Sequence, residues 1–238
     1  MSTTPPTVLI IGSGAREHAI ATALARSPQR PDLLCFSNAQ NPGIERLTRR
    51  YRTGSLTDPA AITAFALEQN ATLAVIGPEA PLEAGVADAL WKAGTAGIPT
   101  VGPTKSLARI ESSKSFARDL LTKHNIPGNP IYERIDPAAS HGLPEAALEQ
   151  AEATLRRLGD SHVIKDDGLA GGKGVKVFGD HLHSLADSLA FCRELLAAGH
   201  PFVIEEKFEG EEFSLLSFTD GTTPVSYTHL TLPTIYSV

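Results

Sequence analysis

Short apolar runs alternate with helical segments along the first hundred residues, and this alternation restricts the fold more than any other feature. Runs of strand length lie at 7–11, 33–37, 72–76 and 98–101. Helical segments lie at 15–26, 59–69 and 81–93. Strands that alternate with helices form a parallel sheet with helices on both faces. Residues 1–102 are therefore predicted to form a doubly wound α/β domain, with its ligand site at the carboxyl ends of the strands.

A different pattern follows Gly102-Pro103. Strands are predicted at 131–135, 161–165, 175–178 and 202–206, and helices at 105–110, 113–124, 144–158 and 184–198. Strand pairs with helices packed on one side are typical of the α+β class, which we predict for residues 103–225. Residues 226–238 contain no lysine, arginine, aspartate or glutamate, and this loss of charge separates them from the domain before them.

The charge balance, the apolar runs and the cysteines exclude several classes of protein. The chain has 21 Lys and Arg against 27 Asp and Glu, a formal net charge of −6, whereas nucleic-acid binders carry a basic surplus. No apolar run approaches the roughly 20 residues of a membrane-spanning helix. Cys35 and Cys192 lie far apart without a CxxC motif, which is typical of free thiols in a reducing compartment. We therefore expect a cytoplasmic protein without a nucleic-acid or membrane partner.

The first glycine loop, at 12–14, lies between a predicted strand and a predicted helix. Its glycines allow a sharp turn, and the helix N-terminus offers free N–H groups to a phosphate. Glu17 stands where the third glycine of the dinucleotide fingerprint would be, so that pattern is incomplete. The loop therefore indicates either a phosphate site or a tight turn without a ligand.

Glu79 lies in the segment G-P-E-A-P-L at 77–82, directly after a predicted buried strand. Pro78 and Pro81 restrict the backbone and hold Glu79 at the carboxyl end of that strand. A carboxylate there can accept hydrogen bonds from ribose hydroxyls or an amine, and a rigid turn with a solvated glutamate is the alternative. Because 12–16 and Glu79 both follow strands of one predicted sheet, we expect them to form one pocket for a phosphorylated ribose.

The glycine-rich segment 168–174 lies between two predicted strands and carries the strongest functional signal. It is not a P-loop, because Lys173 is followed by Gly174 rather than by serine or threonine. A glycine-rich hairpin can fold its amides over a polyphosphate, and Lys165 and Lys173 would add positive charge. The alternative is a flexible hairpin without a ligand. The segment therefore predicts a flap over nucleotide phosphates.

The predicted strand 202–206 ends in Glu205 and Glu206, and more acidic residues follow it. Main-chain groups at such a strand end can meet the edge of adenine, while a later carboxylate holds ribose hydroxyls. An acidic, solvated loop would look the same in the sequence.

Taken together, these motifs resemble the phosphoribosylamine–glycine ligases, or glycinamide ribonucleotide synthetases, of the ATP-grasp superfamily. The matching segments are G-S-G-A-R-E-H-A at 12–19, N-P-G at 41–43, G-P-E-A-P-L at 77–82, E-S-S-K-S-F at 111–116, V-I-K-D-D-G-L-A-G-G-K-G-V at 163–175 and V-I-E-E at 203–206. They follow the order of the family and cover most of the chain up to residue 225.

The resemblance implies a carbon–nitrogen ligase of de novo purine biosynthesis. In that reaction ATP phosphorylates the glycine carboxylate, and the amine of 5-phosphoribosylamine attacks the glycyl phosphate. The implied small-molecule partners are ATP, glycine and 5-phosphoribosylamine, with Mg²⁺ or Mn²⁺ as metal cofactor, and we expect a monomer. The family continues well beyond this chain with the metal ligands. The resemblance therefore implies an incomplete ATP-grasp domain at 103–225, a fragment inactive by itself, and a non-native tail at 226–238.

The resemblance also implies binding residues, which we transfer position by position. Those expected at ATP are Lys114, Lys165, Gly171, Gly172, Lys173, Gly174, Glu205, Glu206, Lys207 and Glu212. Those expected at phosphoribosylamine are Gly12, Gly14, Arg16, Asn41, Gly43, Pro78 and Glu79. No catalytic residue and no metal ligand is predicted in this chain.

Two positions depart from the family pattern. Asp166 replaces a small residue and would add negative charge beside Lys165, and Gln40 replaces a glycine. Alternative functions are another ATP-grasp carboxylate–amine ligase, or a fragment that binds ligands without turnover. An NAD-dependent oxidoreductase is disfavoured by Glu17 and by the lack of an acidic residue after the second strand.

Overall fold

The computed structural model describes residues 5–139, 144–169, 174–211, 215 and 217–226 of the protein. Several predicted features lie outside these residues: Gly171, Gly172, Lys173, Glu212 and the segment 227–238. None of the described helices is long and apolar enough to cross a membrane.

The first half of the chain forms a parallel sheet with helices on both faces. Its strands are β1 (Thr7–Ile11), β2 (Asp32–Ser37), β3 (Arg50–Thr53), β4 (Leu73–Ile76) and β5 (Thr100–Val101). The helices that follow them are α1 (Ala15–Ala25), α2 (Pro42–Glu45), α3 (Pro59–Glu68), α4 (Glu79–Ala84) and α5 (Val86–Trp91). The strand order is β3-β2-β1-β4-β5, with parallel pairing throughout. This order is that of a doubly wound sheet, which confirms the predicted fold class.

Apolar side chains on both faces of β1 explain why helices cover the sheet on both sides. Leu9 and Ile11 belong to one buried cluster, together with α3 and α5 residues such as Ile62 and Leu90. Ile10 points the other way and packs with residues of α1, β2 and α2. Successive side chains of a strand alternate between faces, so an unbroken apolar strand requires cover on each.

Three details of the first half differ from the sequence prediction. The predicted helix 81–93 is divided into α4 and α5 by Gly85, whose φ of 88° no continuous helix can include. The first of these helices begins at Glu79, before the predicted start. The strand β3 was not predicted, because Arg50–Thr53 is mostly polar. Charged residues are common on strands that form the edge of a sheet.

The second half of the chain forms an antiparallel sheet with two long helices on one face. Its strands are β6 (Tyr132–Ile135), β7 (His162–Asp166), β8 (Val175–Val177) and β9 (Phe202–Glu206), in the order β6-β9-β7-β8. The helices α8 (Pro144–Leu158) and α9 (Leu185–Ala197) pack on it through a cluster that includes Phe202 and Ile204. This arrangement agrees with the predicted α+β class.

The helices α6 (Lys105–Ser112) and α7 (Lys114–Lys123) connect the two sheets. Helix α7 contacts strand β9. It lies on the face of the sheet opposite α8 and α9, the face to which the side chains of Val203 and Glu205 point. A final hairpin pairs β10 (Ser217–Thr219) with β11 (Pro224–Ser226). The face of the second sheet turned away from α8 and α9 is called the open face below.

Candidate functional site

The glycine loop after β1 closes around a buried glutamate. Glu17 is 5% exposed, and its Oε2 accepts a hydrogen bond of 2.6 Å from the Gly14 N–H. A Cβ atom on Gly12 would lie 2.8 Å from Glu17 Cδ, and one on Gly77 would overlap the Glu17 carboxylate. The glycines at these positions therefore make room for Glu17, which itself occupies part of the helix N-terminus. The sequence signal for this role was a glutamate three residues after the helix cap.

Arg16 and Glu79 meet at the carboxyl edge of the first sheet. Arg16 Nη1 donates hydrogen bonds to the Gly77 carbonyl oxygen at 2.7 Å and to Glu79 Oε1 at 3.1 Å. Both side chains are exposed, and β1 and β4, which position them, are neighbours in the sheet. The two segments predicted to share one pocket therefore lie side by side, with their charged groups open to solvent.

Asn41 and Gly43 connect the end of β2 to the same loop. Asn41 Oδ1 caps α2 by accepting from the Gly43 N–H at 2.9 Å, and Asn41 Nδ2 donates to the Ser13 carbonyl oxygen at 2.8 Å. A Cβ atom on Gly43 would lie 2.6 Å from His18 Nε2. Gln40, the departure beside them, has no positive φ, so its backbone does not require glycine.

A cavity of about 710 Å³ opens between the first sheet and the second. It is lined by Pro78, Glu79, Ala80, Ile110, Glu111, Lys114, Ala117, Arg118, Gly168, Leu169, Gly174 and Val175. The cavity therefore brings the predicted ribose edge, the N-terminus of α7 and the described ends of the glycine-rich segment to one place.

Asp167 anchors α7 to the glycine-rich segment. Its Oδ1 accepts from the Lys114 N–H at 2.5 Å and from the Ser115 N–H at 3.3 Å, and its Oδ2 accepts from the Ser115 hydroxyl. The Lys114 ammonium donates to the Gly168 carbonyl oxygen at 2.7 Å. No local sequence pattern predicts this contact, because its partners are more than fifty residues apart and meet only in the folded chain.

A second cavity, of about 470 Å³, lies along the open face and shares Arg118 and Val175 with the first. Its lining includes four of the residues predicted to bind ATP: Lys165, Glu205, Glu206 and Lys207. The two cavities are thus neighbours, one reaching the end of β9 and the other the edge of the first sheet.

Glu205 is buried in an ion-pair network at the junction of these cavities. Glu205 is 3% exposed as a residue and its carboxylate contacts the Lys165 ammonium, while Arg118 Nε donates to Glu205 Oε2 at 2.7 Å. Burial raises the pKa of the Glu205 carboxyl, but the hydrogen bonds and charges of Arg118 and Lys165 outweigh it and hold that pKa below its usual value. Glu205 is therefore ionised at neutral pH. Sequence analysis missed Arg118.

Glu206 and Lys207, at the end of β9, form hydrogen bonds with neighbouring segments of the second sheet. The Lys207 N–H donates to the Ser161 carbonyl oxygen at 3.0 Å, and the Lys207 ammonium donates to the Phe178 carbonyl oxygen at 3.3 Å. Glu206 Oε2 accepts from the Ile131 N–H at 3.3 Å. The Lys207 N–H is thus engaged within the sheet.

Asp166 does not lie beside the Lys165 ammonium. Neighbouring residues of a strand point to opposite faces, and Asp166 Oδ2 lies 3.3 Å from His200 Nδ1 on the side that carries the helices. Its negative charge is therefore separated from the open face by the sheet.

The described residues do not form a metal site. Among them, no group of three or more histidine, cysteine, aspartate or glutamate side chains is placed to hold an ion.

The chain is similar in sequence to enzymes of one family. Residues 6–111 match the family model for the phosphoribosylglycinamide synthetase N domain, and residues 112–231 match that for its ATP-grasp (A) domain. A phosphoribosylamine–glycine ligase of Methanosarcina acetivorans is 44% identical over 214 residues, which are 90% of this chain and 45% of that protein. The chain thus spans about half the length of the curated relatives it matches.

Solved structures show the same architecture. A phosphoribosylamine–glycine ligase of Thermotoga maritima superposes with a TM-score of 0.66 at 25% identity, over 92% of this chain and 48% of that one. An ADP complex of N5-carboxyaminoimidazole ribonucleotide synthetase shares the fold with a TM-score of 0.64 at 18% identity, over 86% of this chain and 47% of that one. Sequence and fold agree, and the chain belongs to the phosphoribosylglycinamide synthetase family.

Proposed function

We propose that this chain binds ATP along the open face and takes part in the ATP-dependent ligation of glycine to 5-phosphoribosylamine. The products would be glycinamide ribonucleotide, ADP and phosphate, in de novo purine biosynthesis. The observation that carries the proposal is the junction of the two cavities at Arg118, with Lys114 lining one and Lys165 the other. Family membership supports the reaction, and the ADP complex with this fold supports a nucleotide site in this architecture.

The lysines at the junction are suited to nucleotide phosphates. Lys114 and Lys165 approach it from α7 and β7, and the glycine-rich segment that contains Lys173 connects β7 to β8 in the sequence. Lysine ammonium groups act as mobile point charges toward phosphate oxygens. In this proposal the phosphates lie near Arg118, and the base lies toward Glu206 and Lys207.

The edge of the first sheet is suited to a phosphorylated ribose. Arg16 and Glu79 present opposite charges there, beside the loop that begins at Gly12. The carboxylate can accept from ribose hydroxyls or from an amine, and the guanidinium can donate to phosphate. Because Glu79 also lines the larger cavity, an amine bound there faces the phosphate end of the nucleotide site.

Mg²⁺ or Mn²⁺ is the metal we propose for the reaction, and it would neutralise charge on the transferred phosphoryl group. The described residues do not fit such an ion, as the absence of an acidic or histidine cluster among them shows. We therefore assign no metal ligand to these residues.

Calorimetric titration with ATP tests the nucleotide site. Lys165→Met and Lys173→Ala should each weaken ATP binding about ten- to a hundredfold, because each removes a charge-assisted contact. Lys123→Ala, at the far end of α7, is the matched control and should bind as the parent does. Equal affinities in all four proteins would remove these lysines from the site.

A turnover assay tests the reaction and the role of this chain in it. We propose that the 238-residue chain binds nucleotide but does not turn over, because positioning and metal binding supply much of the rate in phosphoryl transfer. ADP release should therefore stay at background with Mg²⁺, glycine and 5-phosphoribosylamine present. Robust release would contradict this part of the proposal, and robust release with a different amino acid would favour another carboxylate–amine ligase.

We also propose that the protein is a cytoplasmic monomer. Cys35 and Cys192 are both free and buried, and free thiols are typical of proteins in a reducing compartment. Sedimentation velocity would test the oligomeric state, and a dimer at micromolar concentration would contradict it.

A further inference from the structure

The side chain of Glu205 is occupied by two cations. Arg118 binds it in a bidentate manner, with Nε on Oε2 at 2.7 Å and Nη2 on Oε1 at 3.0 Å. The Lys165 ammonium contacts Oε1 as well. A bidentate arginine–carboxylate pair fixes the orientation of both partners. The carboxylate is therefore rigid, and the lysine is the movable member of the network.

This geometry disfavours a direct role of the Glu205 carboxylate at the ribose. Its oxygens already accept three hydrogen bonds, and only 4% of the side chain is exposed. A ribose hydroxyl would have to reach the one remaining acceptor position of an almost fully buried carboxylate, or displace one of the cations from it, and both are costly. The exposed parts of the network are the cations, at 22% for the Arg118 side chain and 24% for that of Lys165.

The network places Lys165 at a defined point of the open face. Glu205 is paired with Val163 across β7 and β9, so Lys165 lies two residues along on the same face and reaches back to it. A lysine side chain loses considerable rotamer freedom when it binds a ligand, and a contact that restricts it beforehand reduces that loss. The network keeps a net charge of +1, since one carboxylate faces two cations.

We infer that Arg118 is a positioning residue, which acts through Glu205 to hold the Lys165 ammonium ready for a nucleotide phosphate. The inference rests on the proposed ATP site. It gives a role to Arg118, and it changes the role of Glu205 from a contact to adenosine to the link between Arg118 and Lys165.

Titration with ADP and with adenosine tests the inference. Arg118→Met should weaken ADP binding about tenfold, because Lys165 is then held only by an unfixed carboxylate. Adenosine has no phosphate, so its affinity should stay at the parent value in Arg118→Met and in Glu205→Gln. Unchanged adenosine binding also shows that each variant is folded. Arg118→Lys, which keeps the charge, should retain more ADP affinity than Arg118→Met.

A double-mutant cycle separates positioning from a direct contact. In a Lys165→Met background, Arg118→Met should cost no further ADP affinity, because the residue through which Arg118 acts is gone. An undiminished tenfold loss in that background would show that Arg118 contacts the phosphates itself and would overturn the inference. A loss of adenosine affinity in Glu205→Gln equal to the loss of ADP affinity would overturn it as well, in favour of a contact to adenosine.

ADP binding by the parent chain distinguishes a failure of this inference from a failure of the proposed function. ADP binding that depends on Lys165 but not on Arg118 would overturn the inference alone. No ADP binding by the parent would overturn the proposed nucleotide site and the inference together.

Discussion

At the scale of single residues, Gly77 leaves no room for a methyl group, because the buried Glu17 side chain lies against it. A Cβ atom there would overlap the Glu17 carboxylate, which is itself held by Gly14. We expect Gly77→Ala to lower the free energy of unfolding by about 1–3 kcal/mol, the usual cost of overpacking a tight site. Urea denaturation measures this change.

A matched control for Gly77→Ala is Gly210→Ala. A Cβ atom on Gly210 meets no atom of the described residues within 4 Å, and that glycine has no positive φ, so its replacement should leave stability nearly unchanged. The double variant Gly77→Ala, Glu17→Ala should recover part of the loss, because the overlapping group is removed. A stability of Gly77→Ala equal to that of the parent would show that Glu17 moves aside freely.

His162 makes stability depend on pH. Burial lowers the pKa of His162 from its usual 6.5, and a hydrogen bond to the Gly159 carbonyl oxygen only partly offsets this. The unfolded state therefore takes up a proton on His162 before the folded state does. Stability from this residue is fully present above pH 6.5 and is lost as the pH falls below it.

Unfolding free energies at pH 7.5 and pH 5.5 measure this effect. The parent should lose stability between the two values, and His162→Gln should lose less, while the exposed His124→Gln serves as control. An identical loss in the parent and in His162→Gln would assign the pH dependence to other groups.

At the scale of elements, the N-terminus of α7 depends on a residue from another motif. Asp167 accepts hydrogen bonds from the N–H groups of Lys114 and Ser115, at the positive end of the helix dipole. We expect Asp167→Asn to lower the free energy of unfolding by about 1–2 kcal/mol, because the charge at the cap is lost. Thermal or urea denaturation would show it, with the exposed Asp160→Asn as control. Equal stability of Asp167→Asn and parent would make the cap dispensable.

Most elements could be predicted from the sequence because their signals are local. The helix at 144–158 has an apolar stripe at helical spacing, and the strand at 202–206 is an apolar run, and the structure has both with those bounds. β3 could not be predicted, because a polar edge strand is identified by its neighbour β2 rather than by its own residues. The division of the predicted helix at Gly85 could not be predicted either, because it depends on the positive φ angle that this glycine adopts in the fold.

The candidate site was predictable where the positions of its residues follow from the ends of predicted strands. The segment 12–16 and Glu79 were predicted to lie together because both follow strands of one sheet, and Arg16 Nη1 lies 3.1 Å from Glu79 Oε1. Glu205 was identified, but its partner Arg118 lies 87 residues away and on a helix that docks across the sheet. Such a contact depends on how α7 packs, which periodicity and propensity do not determine.

At the scale of the whole molecule, the segment 226–238 is predicted to add little to the fold. β11 ends at Ser226, and the hairpin it forms with β10 leaves Phe218 and Val225 largely exposed. The ATP-grasp match continues to residue 231, so the boundary at 225 stays a prediction. Removal of 226–238 should change the free energy of unfolding by less than about 0.5 kcal/mol, because the hairpin to which this segment is attached leaves Phe218 and Val225 exposed. A large loss would show that this segment belongs to the domain.

The order of strands in the second sheet has a consequence for how the chain acquires its structure during synthesis. β9 lies between β6 and β7, so the sheet cannot close until residue 206 has left the ribosome. The first sheet is complete once β5 has emerged at residue 101. Domains fold largely as units, the N-terminal one first, and pairings distant in sequence form slowly. The first domain is thus folded before the second sheet is complete. The helices α6 and α7 can pack on its surface while β6 and β7 have not yet paired with β9.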